Sequence, residues 1–310
     1  MCQESWSTSL QIKSLGLFSN AYALLILATL GWGCNAVAGK LATSGWEPFT
    51  LTFSRWLLVA LVLLPFAWTH VQRDSKLIAK HWLFFLLFCG SLMALFNLLM
   101  YLALNHTTAI NVSIEQASMP LFIILANFLV FSQRVSALQI VGVCLSIFGV
   151  LVTSTNGEPL KILENGLNRG DSIMLVGCFF YAVYTFALRW KPDVHWLTFI
   201  FLIAIGATLI SFPFSMFEFF RVSMSMPSGS DWLILIFVVL VPSIICQLCF
   251  ARGVELIGGN RAGLFINLVP LFGSLLAVLI IGEQFQWFHA VGLVMVVGGI
   301  MLAERFARTD

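Results

Sequence analysis

The chain has 310 residues, 60% of them hydrophobic and only 10% charged, with mean hydropathy +0.97. Soluble domains carry about 25% charged residues, so a water-soluble globule of this length is excluded and lipid is the expected solvent. The net charge of +2, with no basic patch interleaved with stacking aromatics, excludes nucleic acid as a partner.

Residues 1–19 are polar and irregular, a short cytoplasmic segment. The apolar run that follows is longer than a signal-peptide core and is read as a retained span. A hydrocarbon core of about 30 Å needs roughly 20 helical residues. Ten runs meet that need, at about 20–38, 49–69, 82–104, 109–132, 137–154, 171–190, 196–217, 232–254, 262–282 and 287–304. They are continuously apolar and too long for membrane strands, so the class is all-α integral membrane protein. Tight turns at Asn105–Thr108 and Gln133–Ser136 join neighbours, and residues 306–310 form a tail.

The second five runs repeat the first five. With Pro120 on Pro270, Pro120-Leu121-Phe122 meets Pro270-Leu271-Phe272, Leu125 meets Leu275, Val141-Gly142 meets Val291-Gly292, and Gly149 meets Gly299. The repeats are 20–154 and 171–305, joined by the polar loop 155–170. An odd number of spans per repeat inverts the second copy, which is the architecture of a secondary transporter. Lys and Arg placement sets orientation. With both termini cytoplasmic, the inner side receives Lys13, Arg73, Lys76, Lys80, Arg134, Arg189, Lys191, Arg252, Arg261, Arg305 and Arg308. The outer side receives only Lys40, Lys161, Arg169 and Arg221.

Polar groups at bilayer depth are expensive and point to function. They are Asn35, Arg55, Asn97, Glu115, Gln116 and Asn127 in the first half, and Tyr181, Tyr184, Gln247 and Asn267 in the second. Counted by helical rise, Asn35, Arg55, Asn97 and Glu115 lie towards the outer mouth, and Tyr181, Tyr184, Gln247 and Asn267 towards the inner mouth. Glu115 has three readings: a site for a proton or cationic substrate group, a static pair with Arg55, or a side chain reaching the outer surface. Arg55 is read as a structural charge, with a substrate carboxylate as its alternative. Pro120 and Pro270 each remove a backbone hydrogen bond and mark paired helix breaks. Trp32, between Gly31 and Gly33, lies deep enough to face a cavity. Gly142, Gly149, Gly292 and Gly299 mark a packing seam. Cys246 and Cys249 have metal-pair spacing without further ligands nearby, so no metal and no cofactor is expected.

Trp32-Gly33 with Asn35 and Lys40, Arg55, Tyr101-x-Ala103-Leu104 with Thr108, the two prolines, Gly282-Glu283 and the paired glycines resemble, in this order, an EamA-type member of the drug/metabolite transporter superfamily. The resemblance covers 22–153 and 171–305. It implies a ten-helix basket whose cavity is lined by helices 1, 3, 4, 6, 8 and 9 rather than 2. That favours Asn35, Asn97, Glu115, Tyr184, Gln247 and Asn267 as ligands over Arg55. Glu115 and Gln133 depart from the family pattern. Relatives of this kind mostly export amino acids, related metabolites or toxic compounds.

The expected function is a secondary active transporter of small metabolites across the cytoplasmic membrane, an exporter working by alternating access. Its partners are a small-molecule substrate, a proton or other coupling ion, and the lipid bilayer. No glycine-rich ATP loop is present. The competing readings are an intramembrane enzyme, for which the histidines (His70, His81, His106, His195 and His289) all lie near span ends, and a passive channel or receptor.

Overall fold

A computed structural model describes residues 19–131, 136–161, 163, 166–221 and 227–305. Among these residues every regular element is a helix. In lipid this follows from the backbone, because a helix pairs its own N–H and C=O groups where no water can. Large apolar side chains stand exposed on the bundle, and Phe66, Leu129, Leu279 and Val294 are each more than 60% accessible. Water would penalise such a surface and acyl chains do not.

Helix α1 (Ala21–Ala42) starts at Asn20, whose side chain accepts from Ala23 N–H at 3.2 Å. Its starting end defines the near face of the bundle and its other end the far face. Helix α2 (Pro48–Trp82) begins with proline, which lacks the N–H that would be orphaned there. It runs through a π-turn at Leu83–Cys89 into α3 (Gly90–Leu104), so 48–104 form one helical run of 57 residues. A straight helix of that length would span about 85 Å at 1.5 Å per residue, far beyond a bilayer core. The run breaks at His81, with φ −122° and ψ 24°. Arg55 of α2 then meets Asn97 and Tyr101 of α3, so the chain doubles back and makes two passes. The basic stretch Arg73–Lys80, expected as a connection, is thus helical up to the break.

Helix α4 (Ala109–Val130) is interrupted at Ala117–Ser118, just before Pro120. After α5 (Ala137–Ser154) come α6 (Arg169–Trp190), α7 (Trp196–Arg221) and α8 (Gly229–Ile257), the last with a π-turn Val241–Ile245 around Pro242. Helix α9 (Arg261–Ile281) narrows to 3₁₀ geometry at Leu264–Asn267, just before Pro270, and ends at Gly282 with φ +78°. Helix α10 is Trp287–Arg305. Eight segments, counting Pro48–Leu104 once, are long and apolar enough to cross a membrane, and Trp287–Ala303 is a shorter apolar helix. This multi-pass membrane protein is compatible with ten passes. Gln133 and Arg134 lie outside the described residues, as does the side chain of Asn127.

The duplication is visible in the packing of α5 on α10. A Cβ on Gly142 would lie 2.5 Å from Gly299 O, and one on Gly299 would lie 2.5 Å from Gly142 O. At the other end, a Cβ on Gly149 would lie 2.8 Å from Gly292 O, and one on Gly292 2.9 Å from Gly149 O. The two helices therefore run antiparallel, and the 150-residue offset maps one contact onto the other. That is an inverted repeat with its pseudo-two-fold axis crossing the seam. Helices α2 and α7 show the same exchange at their ends. Glu218 accepts from Phe49 N–H and Thr50 N–H (3.3 and 2.7 Å) at the start of α2, and Asp74 accepts from His195 N–H (3.0 Å) at the start of α7. Carboxylates at helix N-termini satisfy orphan donors and complement the helix dipole.

Candidate functional site

A cavity of about 170 Å³ opens between the two halves. On that scale one water takes roughly 10–15 Å³, so the space suits a small molecule. Its walls come from α1 (Trp32, Asn35), α2 (Arg55, Trp56), α3 (Met93, Phe96, Asn97) and the α4 break (Gln116, Ala117, Met119, Pro120, Ile123). The second half adds Tyr181 and Thr185 of α6, Pro242, Ser243 and Gln247 of α8, and Ile266, Asn267, Val269 and Pro270 of α9. Both broken helices thus place their breaks in the wall. Asn35, Arg55 and Asn97 from the outer set and Tyr181, Gln247 and Asn267 from the inner set meet in one chamber.

Arg55 is the hub. It is 5% exposed and held by neutral groups alone. Nε donates to Ser243 Oγ (2.9 Å), and Nη1 donates to Asn97 Oδ1 (2.7 Å), Tyr101 OH (2.6 Å) and Asn35 Oδ1 (3.2 Å). The rings of Trp56 and Tyr101 lie 5.5 and 6.0 Å from the guanidinium carbon. Asn97 is itself oriented by donating to Met93 O at 2.9 Å. No carboxylate pairs with Arg55 among the described residues. The static pair with Glu115 is therefore not formed, and α2, excluded from the cavity by the family resemblance, supplies its one cation. Across the chamber, Asn267 Nδ2 is buried without any acceptor. Trp32 Nε1 donates to Pro242 O at 3.1 Å, tying α1 to the π-turn of α8. Gln116 Nε2 reaches back to Val112 O at 3.4 Å.

Two candidates stand outside the lining. Tyr184, 9% exposed, packs in the apolar core beside Tyr181, ring centroids 5.8 Å apart. Glu115, fully buried, lies behind the wall and accepts from Ser154 Oγ at 3.0 Å. Cys246 and Cys249 pack with Leu24 and Ala28 of α1 in a small apolar cluster.

Sequence reasoning passed over Ser243 and Asp171. Ser243 follows a proline within an apolar run, a position where a hydroxyl has an unpaired carbonyl to use, and it does donate to Val238 O at 2.7 Å. Asp171 sits in the first turn of α6, where a carboxylate looks like a helix-start residue. It is 0% exposed.

Residues 19–155 and 168–304 each match the EamA-like transporter family. An uncharacterized transporter of Archaeoglobus fulgidus is 26% identical over 288 residues, covering 92% of this chain and 97% of its own. The uncharacterized transporter YetK of Bacillus subtilis is 23% identical over 286 residues, covering 91% and 86%. A solved crystal structure superposes with TM-score 0.63 at 17% identity, covering 93% of this chain and 97% of its own, a likeness of fold alone.

Proposed function

The chain belongs to the EamA-like transporter family, and from that premise we propose that it carries small carboxylate-bearing metabolites, amino acids among them, by alternating access through the cavity around Arg55. The carrying observation is a buried guanidinium in the cavity wall with no carboxylate partner. A buried cation without an anion is costly, and a substrate carboxylate removes that cost while accepting a charge-assisted hydrogen bond from Nη2, the guanidinium nitrogen that the four neutral partners leave unengaged. Asn267 Nδ2 offers a second unsatisfied donor across the chamber, and Trp32, Phe96 and Tyr181 give apolar walls for the remainder of the ligand. The excess of Lys and Arg on one side supports residence in the cytoplasmic membrane with both termini in the cytoplasm. Export is the direction in keeping with that family's habit.

The test uses the full chain in lipid vesicles with a panel of labelled L-amino acids and the amines left when their carboxylates are removed. Saturable uptake of the acids and not the amines is expected. Arg55→Gln should lower acid uptake at least tenfold, in line with about 2–5 kcal/mol for one half of a buried charge pair. Arg55→Lys, which keeps the charge and loses the fork, should fall between. Equal carriage of acids and amines would overturn the reading. The second reading, Arg55 as a tether alone, draws on its four neutral hydrogen bonds. Under it, Arg55→Gln lowers folded yield and leaves the acid/amine preference untouched.

A further inference from the structure

The polar group least explained by the cavity is Glu115. It lies in the last turn of the first piece of α4, 0% exposed. Ser154 Oγ of α5 serves Oε1, while Oε2 receives no donor. Its neighbour is a second carboxyl group, Asp171 of α6, likewise 0% exposed. Thr107 Oγ1 donates to Asp171 Oδ1, and Asn111 Nδ2 lies 3.5 Å from both Asp171 oxygens. Asn111 Oδ1 is a further buried acceptor with no donor.

Among the described residues, no hydrogen bond or ion pair from a cation reaches this pair. Lys40 of α1 spends its ammonium on Leu104 O and Thr107 O, both at 2.7 Å. Tyr101 of α3 is engaged with Arg55, which points into the cavity. Helix α5 has no charged side chain between Ala137 and Ser154. Cys178 of α6 donates its thiol to Glu115 O at 3.4 Å. Glu283, after α9, caps the start of α4, and His289 of α10 accepts from Gln286 N–H. Two neighbouring carboxyl groups, shut from water and without a counter-ion, do not both remain ionised.

We propose that Glu115 and Asp171 form a shared proton-binding site behind the cavity wall, loaded from the far face along Thr107 and Asn111. The proton arrives from water, adds to a carboxylate oxygen and returns to water, with no other bond made or broken. Thr107 lies in the far-face turn whose other members, Asn105, His106 and Thr108, include exposed residues. At the other end of the relay, Glu115 is followed directly by Gln116 and Ala117, which line the cavity at the α4 break. Loss of the proton sets two negative charges against each other where α4 is already interrupted. Protonation is thereby tied to the shape of the cavity wall. Only the use of this site in a transport cycle rests on the function proposed above; the binding of the proton does not.

The experiment therefore needs no substrate. Full-length protein in nanodiscs is titrated through near-neutral pH and followed by infrared difference spectroscopy in H₂O and D₂O. A protonated carboxylic-acid C=O band is expected near neutrality, sensitive to deuterium. It should be lost in Glu115→Gln and displaced in Asp171→Asn. If Glu115→Gln yields no folded protein, Asp171→Asn and Ser154→Ala decide, since each should displace the band. A wild type without such a band near neutrality, or a band that none of these substitutions changes, would overturn the proposal.

Discussion

A guanidinium in a membrane interior ordinarily meets a carboxylate. Arg55 meets two amides, a phenol and a serine hydroxyl, all neutral. These dipoles hold its orientation without cancelling its charge, and they engage Nε and Nη1, which leaves Nη2 for an incoming anion. A different device stands at the near face, where His70 and His195 stack with centroids 3.7 Å apart and planes 7° from parallel. Burial, then the facing His70, holds His195 below the ordinary histidine range, against the pull of Asp74. A stacked imidazole pair is thus built into the junction of α2 and α7. The sign follows from linkage. Above the unfolded value of about 6.5 the junction has its full stability. As pH falls from there to the lowered folded value, the unfolded chain takes up the proton more readily and stability declines. His195→Phe keeps the ring and removes the titration. It should flatten this part of the Tm-against-pH curve, and an unchanged slope would remove His195 from the account.

At the scale of single helices, the ends carry the information. Glu283 accepts from Ala109 N–H and Ile110 N–H at 2.7 and 2.9 Å, capping the start of α4 from the end of α9. The sequence showed Glu283 as a family-like acid without a role, because its partner lies 174 residues away. Charge-assisted bonds to backbone donors are each worth about 1.5–3 kcal/mol. Glu283→Ala should lower the thermal midpoint clearly, and Glu283→Gln, which keeps one acceptor, should lower it less. Equal midpoints for Glu283→Ala and wild type would show that the cap contributes nothing. The two proline-associated breaks were legible because proline's missing N–H is a local fact. The places they lead to were not. Whether Gln116 and Asn267 share a chamber depends on how α4 and α9 cross, and that depends on packing throughout the bundle.

For the molecule as a whole, the long apolar runs and the matched pairs around Pro120 and Pro270 are enough to read an inverted, all-helical membrane bundle from the sequence. Duplication is a property of the string, and inversion follows from counting spans. The chamber was harder to foresee. Asn35, Asn97, Gln116, Gln247, Asn267 and Trp32 all line it, yet helical depth puts Asn35 and Asn97 at one mouth and Gln247 and Asn267 at the other. Arg55 was set aside because the likeness in sequence order put helix 2 at the periphery. Asp171 was unreadable for another reason. Its pairing with α4 joins two repeats across the pseudo-axis, and nothing in either segment alone announces the other.

The glycine seam has a thermodynamic consequence. Gly142 and Gly299 share one contact, and Gly149 and Gly292 share the contact related to it by the pseudo-axis. Adding a methyl at either partner forces the same backbones apart, at about 1–3 kcal/mol for an overpacked site. The second methyl of a pair then enters space already opened. Double-mutant cycles should therefore show strong, nearly equal coupling for Gly142→Ala with Gly299→Ala and for Gly149→Ala with Gly292→Ala. Gly142→Ala with Gly149→Ala, about 10 Å apart along one helix, should be close to additive. Unequal couplings at the two ends would mean that the halves, alike in outline, have drifted apart in how they bear load.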